Sequence, residues 1–161
     1  MPAVCVFCAS SLTIDQRYLD LAREAGMGIA ERGWGLVSGA GSISMMGEVG
    51  RAARAAGGHT VGVIPDALVA MEVADHDSDE FIVTRDMRQR KGIMDERSDA
   101  FLALPGGIGT LEEVVELLLV EDLGKPTGAT WRPESEGWVG RQLTGSGQPA
   151  EVATQGGAPA G

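Results

Sequence analysis

Basic residues are scarce in this chain: 13 Lys and Arg stand against 23 Asp and Glu, for a net charge of −10. That balance argues against nonspecific binding to nucleic acid or to an anionic membrane. An anionic ligand remains compatible if the few cations are concentrated in one place. Histidine and cysteine are scarcer still, with two of each. His59 and His76 are too separated to suggest a metal centre, and a single Cys-x-x-Cys (Cys5 and Cys8) without a second pair cannot complete a zinc site. No metal is expected. A thioredoxin-like pair would open a helix, whereas these two residues close an apparent strand, so they read as reduced thiols of a cytosolic protein. No apolar run approaches a membrane span. The start, Met1-Pro2-Ala3-Val4-Cys5-Val6-Phe7, lacks the basic region of a signal peptide. The expectation is a cytoplasmic protein with neither nucleic acid nor membrane as partner.

What the chain has in excess is glycine, 24 residues in 161, about twice the usual ~7% share. The length suits one domain. Apolar runs alternate with amphipathic stretches. Residues 3–8 (AVCVFC) read as a strand buried on both faces. Residues 15–32 read as a helix, with Asp15 as N-cap and Gly33 as stop. Gly26 and Gly28 inside it suggest close packing on the sheet. Strands follow at 34–38, 60–64, 81–84 and 100–104, and helices at about 44–56, 86–97 and 110–123. This alternation predicts an α/β fold, a three-layer Rossmann-like parallel sheet with helices on both faces. In such sheets ligands bind beyond the carboxyl ends of the strands. The loops 9–11, 38–47 and 105–113 meet there. Residues 128–161 differ, with eight glycines in 34 residues and no hydrophobic periodicity. They read as a Gly/Ser/Pro-rich, disordered tail appended to a catalytic domain over 1–127.

Three segments carry chemistry. In Leu104-Pro105-Gly106-Gly107-Ile108-Gly109-Thr110-Leu111-Glu112-Glu113 a strand ends, glycines turn the chain and a helix begins. Glycines let backbone N–H groups approach a phosphate, and the helix start adds free N–H groups and a positive dipole end. The bland alternative is a tight strand–helix turn. Ser38-Gly39-Ala40-Gly41-Ser42-Ile43-Ser44-Met45-Met46-Gly47 is weaker alone: Ser44 stands where a dinucleotide fingerprint has its third glycine, and Glu48-Val49 excludes a Walker loop. It also reads as a turn with Met45 and Met46 in the core. Arg85, Arg88, Arg90 and Lys91 put four of the 13 basic residues within seven positions. Arginine suits bidentate phosphate contact. On a helix they cannot all face one way, so Arg85 and Arg88 are expected to be solvated or paired. The acids from Glu72 to Glu80 match no calcium loop and read as mostly exposed.

Taken in order, the segments resemble the Lonely Guy family, the cytokinin-activating phosphoribohydrolases once labelled lysine decarboxylases. PGGIGTLEE resembles the family signature, DMRQRKGIMDERSDAFLALPGG the stretch leading to it, and VFCASS and SGAGSISMMG the first and second loops, over residues 1 to about 123. The resemblance implies hydrolysis of the N-glycosidic bond of an adenosine-like 5′-monophosphate, N6-substituted in the cytokinin case, to free base and ribose 5-phosphate. It implies a homodimer and no cofactor. It makes Arg90 and Glu113 the catalytic pair, with Gly106, Gly107, Gly109 and Thr110 around the phosphate and Lys91 near it. Glu72 matches a substrate-binding glutamate, and Ser10, Ser11, Gly39, Gly41, Met46, Ile108, Leu111 and Glu112 complete the expected substrate-binding set.

The chain also departs from the family pattern. The family's triple-glycine turn is here Gly39-Ala40-Gly41, and a later glycine is Ser44. After about Leu118 the usual apolar strand and terminal helices are not recognisable, so a truncated or frame-shifted end is expected. Two rival readings follow: a non-catalytic nucleotide- or cofactor-binding protein on the same fold, which needs no Arg90–Glu113 pair and includes a truncated, inactive family member, and a redox protein using Cys5 and Cys8.

Overall fold

The computed structural model describes residues 1–69, 71, 74–121, 129–132, 137–143 and 149–152. Strands and helices alternate: β1 (Ala3–Phe7), α1 (Gln16–Glu31), β2 (Gly35–Ser38), α2 (Ser44–Ala55) and β3 (Thr60–Pro65) come first. A short α3 (Asp66–Val69), β4 (Glu80–Thr84), α4 (Met87–Glu96), β5 (Ala100–Ala103) and α5 (Ile108–Glu121) follow. These five strands pair in the order β4-β3-β2-β1-β5, all parallel. The chain starts in the middle, winds outward to β4, and returns through α4 to the other side of β1. The order therefore reverses between β1 and β5, and that crevice is where such sheets take ligands.

Local signals set the helix ends. Asp15 accepts from the Arg17 N–H to open α1, and Gly33 at φ 69 closes it. Asp86 opens α4 by accepting from Gln89 N–H at 2.8 Å, while the Gln89 side-chain oxygen accepts from Arg85 N–H at 2.8 Å, a reciprocal arrangement close to a capping box.

Alternate strand residues face opposite sides. Val4, Val6, Leu36 and Leu102 join α1 and α2 residues Ala22, Ala25, Ile29, Met45, Val49 and Ala53 in one cluster. Cys5, Phe7, Val37, Val61, Val63 and Phe101 pack with Met94 of α4 in the other. This is the expected three-layer arrangement. Gly26 does provide close packing, but against a helix and not the sheet: a Cβ there would lie 2.3 Å from the Val49 carbonyl oxygen of α2. Gly28 serves no such contact, since the nearest atom to a Cβ there belongs to Arg32 of its own segment.

The sheet continues where the sequence predicts no strand. β6 (Ala129–Arg132) pairs parallel with β5, and β7 (Gly137–Leu143) and β8 (Pro149–Val152) extend it antiparallel. The expectation of a disordered tail over 128–161 thus departs from the structure at these three segments. Thr130, Trp131, Trp138 and Val139 are strand-favouring residues, and the open edge of β5 offers unpaired backbone groups for them to join. Glycine dilution hid the signal, because each run is short. Among the described residues no helix is long and apolar enough to cross a membrane.

Candidate functional site

The cationic helix is sorted by its phase. Arg85 and Arg88 are exposed, as expected, while Arg90 is 5% exposed. The Asp86 cap fixes where α4 begins and so turns Arg90 toward the sheet. Its Nε donates to the Val63 carbonyl at 3.0 Å and its Nη2 to the Gly39 carbonyl at 3.0 Å. Burying a guanidinium requires such partners, and each charge-assisted bond contributes about 1.5–3 kcal/mol. Backbone carbonyls hold the group without neutralising it.

The turn after β2 is built around that arginine. A Cβ on Gly39 would lie 1.9 Å from Arg90 Nη2, so only glycine lets the guanidinium pass. Gly41 clears Met46, whose Sδ sits 3.1 Å from the Gly41 nitrogen. Met45 is fully buried and Met46 packs partly buried against the same cluster. The two departures from the family's glycines fall where they matter: Ala40 and Ser44 have φ of 57 and 55. For a side-chain-bearing residue that conformation costs roughly 1–2 kcal/mol. Among the described residues the buried Ser44 hydroxyl also has no hydrogen-bond partner.

The turn after β5 is open. α5 begins at Ile108, two residues before the expected start, so Gly109 and Thr110 belong to its first turn. Leu111 N–H donates to Gly107 O at 3.2 Å, and the N–H groups of Ile108, Gly109 and Thr110 precede that first intrahelical bond. Gly106, Gly107, Ile108, Gly109, Leu111 and Glu112 are exposed, and Thr110 and Glu113 half-buried. A Cβ on Gly106 would strike Thr110 Oγ1 at 2.1 Å, whereas at Gly107 and Gly109 it would meet nothing within 4 Å among the described residues. Lys91 of α4 forms an ion pair with Glu112 of α5, which joins the neighbours of Arg90 and Glu113 across the crevice. Ala9 N–H donates to Pro105 O at 3.2 Å, tying the first loop to this turn. Ser10 and Ser11 are exposed there, with Ser11 Oγ accepting from Thr13 N–H at 3.3 Å.

The thiols report the charges of the site. Burial, then the Glu113 carboxylate, pushes Cys8 up to about 12. Burial and Glu113 also raise Cys5, while Arg90 pulls it down. Arg90 and Glu113 therefore both act electrostatically at the same point of β1. A protonated, buried thiol is a poor nucleophile, and Cys5 and Cys8 belong to different core clusters, which argues against the redox reading.

Glu72 lies outside the described residues. The neighbouring acids meet the expectation of a mostly exposed loop with one exception: Asp77 and Asp79 are exposed, but Asp75 is 6% exposed and paired with Arg54. Nothing in the local sequence singles Asp75 out, because its partner lies 21 positions away.

A family model described as "possible lysine decarboxylase" matches residues 46–129. A cytokinin riboside 5′-monophosphate phosphoribohydrolase of Mycobacterium tuberculosis (strain ATCC 25618 / H37Rv) is 58% identical over 113 residues, covering 70% of this chain and 60% of that protein. A probable cytokinin riboside 5′-monophosphate phosphoribohydrolase of Oryza sativa subsp. japonica is 48% identical over 128 residues, covering 78% and 56%. The chain thus spans about 60% or less of the length of these curated relatives. Among solved structures, the molybdenum cofactor carrier protein from Chlamydomonas reinhardtii superposes with a TM-score of 0.66 at 30% identity, covering 84% of this chain and 80% of that one.

Proposed function

Since the chain belongs to the Lonely Guy family, we propose that it hydrolyses the N-glycosidic bond of a nucleoside 5′-monophosphate, releasing free base and ribose 5-phosphate. The relatives' names point to an N6-substituted adenine of the cytokinin type. The observation that carries the reading is the open turn after β5: among the described residues, no side chain or remote backbone lies within 4 Å of where a Cβ on Gly107 or Gly109 would stand, and the first N–H groups of α5 stand beside them. Glycines that no packing demands fit a turn kept bare for a phosphate. Thr110 adds a hydroxyl and Lys91 a cation at the rim. We take residues 1–127 as the nucleotide-binding unit, with Ser10, Ser11, Gly39, Gly41, Met46, Glu72, Ile108, Leu111 and Glu112 lining or shaping the substrate site.

Cleaving C1′–N9 builds positive charge on the sugar, as in glycoside hydrolysis. In this reading Glu113 is the carboxylate that stabilises that charge or orients the attacking water. Arg90, seated on carbonyl oxygens, keeps its full charge for the nucleotide's anionic groups. Ile108, Leu111 and Val115 are 87%, 61% and 46% exposed. At spacings of three and four they form one apolar stripe on α5, which supports a homodimer through that helix. Two free, buried thiols fit a cytoplasmic setting.

The test is product analysis with AMP and with isopentenyladenosine 5′-monophosphate. Glu113→Gln should retain nucleotide binding and lose about 10²–10⁴-fold in turnover. Full activity in that variant would remove Glu113 from the mechanism. The similarity to molybdenum cofactor carriers favours a second reading, a protein that binds a nucleotide-like group without cleaving it. Nucleotide binding by the folded protein with no release of base would select it.

A further inference from the structure

We propose that Asp75 is a positioning residue for Arg90, acting through the turn after β2; the proposal rests on the reading above, in which Arg90 serves the nucleotide site. The Asp75 carboxylate is held in a fork by Arg54 of α2, Nη1 to Oδ2 at 2.9 Å and Nη2 to Oδ1 at 3.0 Å. Its Oδ1 also accepts from Asp77 N–H at 3.3 Å. Gly50, one turn before Arg54, leaves room for it: a Cβ there would lie 3.0 Å from Asp75 Oδ2. The side chain is thereby anchored to a core helix.

The backbone of the same residue holds the turn. Asp75 N–H donates to the Ala40 carbonyl at 2.8 Å, and Ala74 bridges to Gly41. Ala40 keeps φ 57, a conformation an alanine adopts only when its surroundings impose it. The φ bond of Ala40 directly follows the peptide that carries the Gly39 carbonyl, the acceptor for Arg90 Nη2 at 3.0 Å. If Ala40 relaxed toward negative φ, that peptide would rotate and withdraw the acceptor. The contacts therefore run from Arg54 to Asp75, to Ala40 and Gly39, and end on Arg90. The plainer alternative is that Arg54 and Asp75 stabilise the fold and nothing more.

The two separate by hydrogen exchange. The Arg90 Nε–H resonance is identified by its loss in Arg90→Lys, and the Val37 amide in the central strand β2 reports global opening. In Asp75→Asn the Arg90 Nε–H is expected to exchange about ten-fold faster, with Val37 unchanged. Unchanged exchange at Arg90, or equal acceleration at both sites, would overturn the proposal. Should Asp75→Asn not fold, the pair Arg54→Gln with Asp75→Asn leaves no buried unpaired charge and is read the same way. Base release from AMP is followed in parallel. Asp75→Asn should reduce turnover about ten-fold in the native background and not further in Arg90→Lys. A wild-type protein that releases no base would refute the hydrolase reading while leaving the exchange result to decide the role of Asp75.

Discussion

Two glycine turns flank the crevice, one after β2 and one after β5, and they use the same residue type for opposite purposes. In the first, Gly39 and Gly41 are buried, and each clears a side chain of the protein itself, Arg90 and Met46. In the second, Gly107 and Gly109 are exposed and clear nothing among the described residues. The first turn is part of the packing and seats a cation. The second is left open over the start of a helix. A glycine-rich motif thus does not identify a ligand contact until the space around each missing Cβ is known.

Substitutions at equivalent places in the two turns should break the likeness between them. The largest effect is expected at the buried turn. Gly39→Ala drives a methyl into the Arg90 guanidinium, so stability should fall by about 1–3 kcal/mol and activity with it, measured by denaturant unfolding and base release. An unaffected protein would mean that Arg90 is not held where the structure has it. At the open turn Gly109→Ala should act in reverse. Within the first turn of α5, alanine gains up to about 1 kcal/mol over glycine, so the folded state should be as stable or more so, while nucleotide affinity measured by calorimetry falls about ten-fold as backbone approach is blocked. Equal affinity would indicate that the anion does not approach this turn. The smallest effect is expected at Ser44. Ser44→Gly removes an unpartnered buried hydroxyl and relieves φ 55, partly offset by glycine's poor helix propensity. A net gain of about 1 kcal/mol corresponds to roughly 2–4 °C in Tm; a loss would show that the hydroxyl has a use there.

Much of this architecture was legible in the amino-acid order. The continuous apolar run of β1 marked a strand covered on both faces, and Asp15 and Gly33 marked the ends of α1 through backbone hydrogen bonds that involve only near neighbours. That Arg88 and Arg90 could not share one face followed from helical geometry. Other features were not legible because they depend on distant partners. Arg54 and Asp75 look like two more surface charges until the fold brings them within 3.0 Å. The strands β6 to β8 are too short and too glycine-diluted to show a period, and they form on an edge that exists only once β5 is in place.

Amino-acid order alone set the alternation of strands and helices, the ends of α1, and the ordered motifs that mark the family, because each rests on interactions spanning a few residues. Long-range packing settled which glycines are packed and which are open, which carbonyls hold the buried Arg90, and which acid is anchored. Those outcomes depend on the space and charge that remote segments place around a residue, and no local pattern encodes them.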